Sequence, residues 1–232
     1  MLTFDGISLA QGDFRLTANF AMSPGITAVI GPSGGGKSTL LGAIAGFLTP
    51  QKGRILWNDH DLVGSAPGAR PVTMLFQDNN LFPHLTVAQN VGLALAPRLR
   101  LTAPQHVQVA NALAQVGLTG MGDRKPGALS GGQQSRAALA RVLLADRPVV
   151  LLDEAFAALG PALRSDMLEL VRSRLAGQGR TVIMVTHDPA DAHTVAEQVV
   201  LVADGIAHPP VDTQTLFSAP PAALREYLGT VR

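Results

Sequence analysis

The residues best suited to chemistry lie in a glycine-rich run that ends in lysine, serine and threonine. It fits the spacing G-x-x-x-x-G-K-[ST], the phosphate-binding P-loop. Glycines let successive backbone N–H groups turn inward around an anion, and the helix that follows adds its positive N-terminal end. We predict a nucleotide site in which Lys37 bridges the β- and γ-phosphates and the Ser38 hydroxyl binds Mg²⁺. The residues of this run are Gly31, Pro32, Ser33, Gly34, Gly35, Gly36, Lys37, Ser38 and Thr39.

The sequence on both sides of this run supports the prediction. Residues 26–30 form a short apolar run, as a buried strand does, and apolar residues recur at helical spacing from Leu40 to Leu48. The alternative is a glycine-rich turn that matches the motif by chance. A strand before the motif and a helix after it make that alternative the weaker one.

A second candidate site is the acidic pair Asp153–Glu154, which ends the apolar run 149–152. Ligands of open α/β sheets bind at the carboxyl ends of strands. We predict that Asp153 holds Mg²⁺, directly or through water, and that Glu154 orients and polarises the attacking water. Alone, such a pair would more simply be a surface feature at a strand end, but the P-loop upstream favours the catalytic interpretation.

The elements that must position these residues alternate along the chain. Residues 2–9 and 14–20 have the period-2 pattern of a β-hairpin, and the alternation of strands and helices after residue 130 predicts a mainly parallel sheet. Between residues 78 and 128 the β pattern disappears, which predicts a helical insertion. Residues 209–232 read as a short proline-containing tail. The fold class is therefore α/β.

Composition narrows the function classes. The chain has 232 residues, a net charge of +1 and no cysteine, which excludes disulfides and thiolate sites and gives no electrostatic footprint for nucleic acid. Apolar runs are far shorter than the roughly 20 residues that span a bilayer, and the N-terminus lacks the pattern of a signal peptide. With 47% hydrophobic residues, we expect a soluble protein that docks on a partner.

The order of the P-loop, Gln77, the run Leu129–Gln133, the acidic pair and His187 resembles that of ATP-binding cassette (ABC) ATPases. Alone, Ser130 followed by two glycines would be a helix cap. Between a P-loop and an Asp-Glu pair, Leu-Ser-Gly-Gly-Gln is highly specific, and the resemblance covers essentially the whole chain. It implies the ABC-ATPase fold, with a mainly parallel core, an antiparallel β subdomain and a helical insertion.

The resemblance implies one ABC ATPase domain over residues 1–232. It would contain a helical subdomain at about residues 78–128, together with the start of the helix at Ser130. We expect no C-terminal regulatory domain. Two copies would form a head-to-tail dimer with two ATP molecules at the interface. Each ATP would lie between the P-loop of one copy and four residues of the other: Ser130, Gly131, Gly132 and Gln133.

The resemblance also assigns roles to single residues. Glu154, His187 and Gln77 would form the catalytic set, in which His187 contacts the γ-phosphate and Gln77 touches Mg²⁺ and the water and couples the site to a membrane partner. The ligands of Mg²⁺ would be Ser38, Gln77 and Asp153. For His187, a surface or helix-capping histidine is the alternative.

The subfamily is indicated by residues 76–90, which resemble the same segment of bacterial importer ATPases for iron, polyamine, sulfate and thiamine. With Asn79–Asn80 and residues 202–205 considered as well, the chain looks most like a thiamine importer ATPase. This implies a peripheral protein on the cytoplasmic face of the inner membrane, bound to permease subunits. A periplasmic binding protein would deliver the solute. Another small solute, a non-transport ABC ATPase and a regulatory nucleotide-binding module remain alternatives.

Three positions depart from the family pattern. Gln11 stands where an aromatic residue usually stacks on adenine, so we expect weaker ATP binding. Gly160 replaces an aspartate that helps to couple the two sites, and Ala155 replaces a proline. We expect a less tightly coupled or slower ATPase. Phe14 lies near Gln11, but its phase with Leu16 predicts core packing instead.

Overall fold

The computed structural model describes residues 1–176 and 179–230, which build a mixed sheet flanked by helices. Its strands are β1 (Leu2–Gln11), β2 (Phe14–Met22), β3 (Gly25–Ile30), β4 (Lys52–Trp57), β5 (His60–Asp61), β6 (Val72–Leu75), β7 (Val149–Asp153), β8 (Thr181–Val185), β9 (Gln198–Ala203), β10 (Ile206–Ala207) and β11 (Val211–Asp212). Its helices are α1 (Lys37–Ala45), α2 (Val87–Gly92), α3 (Ala103–Gln115), α4 (Gly131–Ala145), α5 (Pro161–Arg174), α6 (Pro189–Val195), α7 (Thr213–Ser218) and α8 (Ala222–Thr230).

The sheet has a parallel half and an antiparallel half, as predicted. Its strand order is β5-β4-β1-β2-β10-β9-β3-β8-β7-β6, with β11 beside β9. The five strands β9, β3, β8, β7 and β6 are parallel to one another. The hairpin of β1 and β2 is antiparallel, with a register shift between Phe4 and Ile7. The predicted α/β fold is thus confirmed.

Helices cover both faces of the parallel half, which explains why its strands are apolar throughout. Successive side chains of a strand point to opposite faces. In β7, Val150 and Leu152 pack with α4 and α5 in one core cluster, whereas Val149 and Leu151 pack with α1 and the β1–β2 hairpin in the other. β7 is therefore packed on both faces, which fixes the position of the acidic pair at its end.

A third core cluster joins α2, α3 and one side of α4. Val91 of α2 and Leu113 of α3 pack there with Ala137 of α4. Both helices fall within residues 78–128, the stretch predicted to be helical. Within the described ranges, no helix has the length and apolar character needed to cross a bilayer.

Two expectations were wrong in detail. Apolar residues at helical spacing continue to Leu48, but the helix does not. α1 ends at Ala45, because Gly46 takes the left-handed conformation that terminates helices. Residues 209–230 are not a simple tail, since they form β11, α7 and α8. Leu216 and Leu224 are buried in the same core cluster as Ile26. α7 and α8 are stabilised by this packing against the core, which cannot be recognised from a local sequence pattern.

Arg70 holds the C-terminal end of α1. This arginine is only 2% exposed, and its Nη1 donates to the carbonyl oxygens of Ala43 (2.7 Å) and Ile44 (2.9 Å), while Nε donates to that of Ser65 (3.1 Å). The last carbonyls of a helix have no partner within the helix, and a cation there also favours the helix dipole. Because the guanidinium is held out of water, burial lowers the pKa of Arg70, while the charge of Asp61 acts in the opposite direction.

We expect Arg70→Met to destabilise the protein by about 2–4 kcal/mol, because it removes the Arg70 hydrogen bonds to the carbonyls of Ala43, Ile44 and Ser65 at a buried position. Equilibrium unfolding in urea measures this change. Arg54→Met is the matched control: Arg54 pairs with Asp5 at the surface, where both side chains are exposed, and its loss should change stability little. Equal effects of the two substitutions would contradict the proposed anchoring of α1.

Candidate nucleotide-binding site

The candidate residues meet because parallel strands end at one edge of the sheet. Val185 of β8 pairs with Val29 of β3 and with Asp153 of β7, so these three strands end in register. Leu75 of β6 pairs with Leu152 of β7, which puts Gln77, two residues further on, at the level of Glu154. The P-loop, Gln77, the acidic pair and His187 therefore follow neighbouring strand ends.

The P-loop needs glycine at its entrance and at its exit. Gly31 has a φ of +147°, and a Cβ there would overlap the carbonyl oxygen of Val202. Gly36, which precedes α1, has a φ of +102°, and a Cβ there would lie 2.6 Å from Cζ of Phe14. L side chains rarely adopt such φ values. The loop can therefore curl tightly over β9 and pass into α1.

Lys37 lies inside this loop. It is 7% exposed, and its Nζ donates to the carbonyl oxygens of Gly31 and Pro32, at 2.8 Å each. Burial lowers the pKa of Lys37, while the negative charges of Glu154 and Asp153 act in the opposite direction. Both acceptors are neutral carbonyls, so this buried ammonium group is well placed to bind the oxygens of a phosphate.

Ser38 and Asp153 form a pair of oxygen ligands beside Lys37. The Ser38 hydroxyl donates to Oδ1 of Asp153 at 3.2 Å. Burial raises the pKa of Asp153, and the neighbouring Glu154 raises it further, whereas the Ser38 hydrogen bond and Lys37 lower it. Mg²⁺ prefers oxygen ligands and would offset the cost of keeping this carboxylate charged. The pair therefore fits the predicted metal role.

Glu154 and His187 face each other across the ends of β7 and β8. Oε2 of Glu154 lies 3.7 Å from Nδ1 of His187, and the imidazole is half exposed. Glu154 has a φ of +47°, an uncommon conformation for a glutamate, and its amide donates to the carbonyl of Val185 at 3.2 Å. This backbone turn directs the carboxylate over the strand ends, beside the P-loop.

Ser130–Gln133 lie outside this cluster. Ser130 caps α4: its Oγ accepts from the amide of Gln133 (3.4 Å), and Oε1 of Gln133 accepts from the amide of Ser130 (3.0 Å). Gly132 packs so closely on Leu163 of α5 that a Cβ would overlap it. In the described part of the chain, no hydrogen bond or ion pair joins Ser130–Gln133 to the Lys37 cluster. Ser130 and Gly131 instead face outward.

The departures from the family pattern have a structural setting. Gln11 is exposed at the end of β1, opposite Phe14, and Phe14 packs against the core and Gly36, as its phase predicted. Gly160 precedes α5 with a φ of −64°, and a Cβ there would meet nothing within 4 Å. Glycine is therefore not required sterically at position 160.

Sequence reasoning missed the ion-pair network around the His187 turn. Arg164 of α5 pairs with Asp191 of α6 and lies 3.2 Å from Asp188, while the hydroxyl of Thr186 donates to Asp191 at 2.7 Å. A signal for the aspartates was present: Asp188, a proline and Asp191 form an N-cap, a first helical position and an acidic first turn. The position of Arg164, 27 residues from Asp191, carried no such signal.

Known proteins match both this chain and its fold. The ABC transporter family matches residues 17–157. The chain is 59% identical over 230 residues to the thiamine import ATP-binding protein ThiQ of Cereibacter sphaeroides, covering 99% of this chain and 100% of that protein. With the protein of the same name from Ruegeria sp. it shares 53% identity over 231 residues, covering 99% and 100%.

Among solved structures, the dimeric ATP-binding cassette MJ0796, in a post-hydrolysis state bound to ADP and Pi, superposes with a TM-score of 0.78. The two chains are 26% identical, and the match covers 92% of this chain and 99% of that one. Sequence and fold thus agree, and this chain belongs to the ABC transporter family as one of its ATP-binding cassettes.

Proposed function

We propose that this chain is the ATP-hydrolysing subunit of a bacterial importer for thiamine. The observation that carries the proposal is that three groups lie in one cluster. They are the buried Lys37 in its phosphate loop, the Ser38–Asp153 pair, and Glu154 facing His187. The relatives named as thiamine import ATP-binding proteins support the choice of solute.

The roles follow from the chemistry of each group. The P-loop amides and Lys37 bind the phosphates of ATP and stabilise the charge that develops on them. Glu154 orients the attacking water and accepts its proton, and His187 contacts the γ-phosphate. Ser38, Asp153 and Gln77 would hold Mg²⁺, which neutralises phosphate charge when bound. No covalent intermediate on the protein is needed.

We further propose a head-to-tail dimer of this chain. Ser130 and Gly131 face outward at the N-terminal end of a 15-residue helix, away from the Lys37 cluster of their own copy. In the dimer these residues, with Gly132 and Gln133, meet the γ-phosphate bound by the other copy. The dimeric state of the cassette MJ0796 supports this arrangement.

The proposed membrane partner is a permease that docks beside Gln77. Phe47 (57% exposed) and Phe82 (43% exposed) present apolar surface near this segment, and the rings of Phe47 and Phe76 are 6.2 Å apart. Buried Asn90 fixes the segment, because its side chain bonds both the amide (2.7 Å) and the carbonyl (3.0 Å) of Phe82. Exposed aromatic side chains on a fixed backbone suit a protein interface.

This docking would put the chain on the cytoplasmic face of the inner membrane, with a periplasmic binding protein delivering thiamine to the permease. We propose that residues 1–232 act as one ABC ATPase domain. Its helical subdomain would comprise residues 78–128 and the start of α4, and the separate core cluster of α2, α3 and α4 supports this division. Docking at Gln77 would then pass permease movement to the nucleotide site.

We expect Glu154→Gln to lower the ATPase rate roughly 100-fold or more while ATP still binds, because the amide keeps the shape of the side chain but accepts no proton. Lys37→Ala should remove ATP binding itself. Phosphate release and nucleotide titration measure the two effects on the purified chain. In cells that lack the gene, only the wild-type chain should restore uptake of labelled thiamine.

The outcomes of this experiment separate the two levels of the proposal. Uptake that is indifferent to the gene, with ATPase activity intact, would remove thiamine and direct the search to iron or polyamines. Association with DNA-repair or translation complexes instead of membranes would indicate a non-transport ABC ATPase. Nucleotide binding without hydrolysis by the wild-type chain would indicate a regulatory module.

Gly160→Asp should stabilise the chain by a few tenths of a kcal/mol, because aspartate can cap α5 and the site has room for its side chain. If position 160 couples the two nucleotide sites, the substitution should also raise the ATPase rate and its cooperativity. Gly160→Ala fills the same space without a capping oxygen and is the control. An unchanged rate and unchanged transport would dismiss the role of this position in coupling.

Phe47→Ser combined with Phe82→Ser should abolish thiamine uptake and membrane association but leave the ATPase activity of the isolated chain intact. The reason is that both rings contribute apolar surface to the proposed permease contact. Co-sedimentation with membranes measures the loss. Val107→Ser is the matched control, since Val107 is 58% exposed on α3. Retained membrane association in the double variant would argue against docking at this surface.

A further inference from the structure

The last helix, α8, reaches the turn that carries His187. The hydroxyl of Tyr227 donates to the carbonyl oxygen of His187 at 2.6 Å, across 40 positions in the sequence. Leu224, one turn earlier on the same helix, is fully buried in the core cluster that contains Val171 of α5. The tyrosine is therefore presented by an anchored helix.

The turn is also held by Arg164 of α5, by Asp191 of α6 and by a hydrogen bond within the turn itself. Arg164 bonds the side chains of Thr186 and Asp191 and lies 3.2 Å from Asp188. The amide of Asp188 also donates to the hydroxyl of Thr186 at 3.1 Å. The Thr186 hydroxyl thus holds the N–H of the peptide that joins His187 to Asp188, and Tyr227 holds the carbonyl oxygen of the same peptide.

The phenol hydroxyl of Tyr227 is suited to donate this hydrogen bond at all times. Burial raises the pKa of Tyr227, and the negative charges of Asp188 and Glu154 raise it further. The hydroxyl therefore stays protonated around neutral pH. A carbonyl oxygen can only accept, so the direction of the bond is also set.

We propose that Tyr227 is a positioning residue for His187, so that α8 sets how the imidazole is presented to the γ-phosphate and to Glu154. The proposal rests on the proposed function, because it takes His187 as part of the ATPase site. The separation of 3.7 Å between Oε2 of Glu154 and Nδ1 of His187 leaves room for small rotations of the His187 peptide to change this presentation. The C-terminal helix thereby becomes a control element of hydrolysis.

Tyr227→Phe tests the bond, because it keeps the ring that packs on the core and removes only the hydroxyl. We expect kcat for ATP to fall roughly three- to tenfold, the range that one lost hydrogen bond corresponds to. KM for ATP should stay within about twofold, because the P-loop is untouched. Thr213→Val is the matched control: it removes a hydroxyl of the same C-terminal region that bonds the carbonyl of Ala196 at 2.7 Å.

Thr213→Val should leave both constants unchanged, and thermal unfolding checks that the two variants are equally folded. An unaltered kcat in Tyr227→Phe would overturn the proposal. So would parallel changes of kcat and KM in both variants, since that result would mean a general loosening of the C-terminal region. The split between kcat and KM is therefore the deciding measurement.

A second readout does not depend on activity. Tyr227 is the only tyrosine of the chain, so incorporation of 3-fluorotyrosine gives one ¹⁹F resonance for this position. The resonance should shift when ATP and Mg²⁺ are added to the Glu154→Gln chain, and it should not shift in the same chain that also carries Lys37→Ala. A resonance that ignores ATP would overturn the proposal.

This readout also separates the inference from the proposed function. If the wild-type chain hydrolysed no ATP, the proposed function would fail. The fluorine resonance would still decide whether α8 senses a nucleotide at the P-loop: a shift would support the link between α8 and the His187 turn, and no shift would overturn it.

Discussion

The in-register ending of parallel strands is the constraint on which the site depends. Because β8 pairs with both β3 and β7, residues that are far apart in the chain arrive within a few ångströms of one another. Glu154 and His187, at the ends of neighbouring strands, approach to 3.7 Å in this way. Adjacent strands lie about 4.8 Å apart, so the sheet itself sets the spacing of the reactive groups. The flanking helices contribute by keeping these strands buried and in register.

Burial at this edge has opposite effects on the two kinds of charge. It lowers the pKa of Lys37 and raises that of Asp153, so both ions are held at a cost that their mutual attraction only partly offsets. A nucleotide phosphate would neutralise the first charge, and a divalent cation would neutralise the second. The charges of the site are thus complementary to a nucleotide phosphate that carries a divalent cation. Binding of such a ligand would stabilise the folded site.

Elements outside the sheet converge on the same turn. Arg164 lies one turn after Gly160 and connects α5 to the residues beside His187. Tyr227 connects α8 to His187 itself. The His187 turn is therefore connected both to the start of α5 and to the C-terminal helix α8. Such connections let distant contacts bias one small backbone movement.

The sequence by itself determined the α/β fold, the P-loop, the acidic pair, and α4 with its Ser130 cap, because strand runs, helix periodicity and capping motifs are local patterns. It also indicated which residues would gather at the strand ends. Only the tertiary structure decided that Phe47 faces solvent, that Leu224 enters the core and that Tyr227 meets His187. These contacts join residues far apart in the chain, and they arise from packing between elements, for which no local spacing provides a signal.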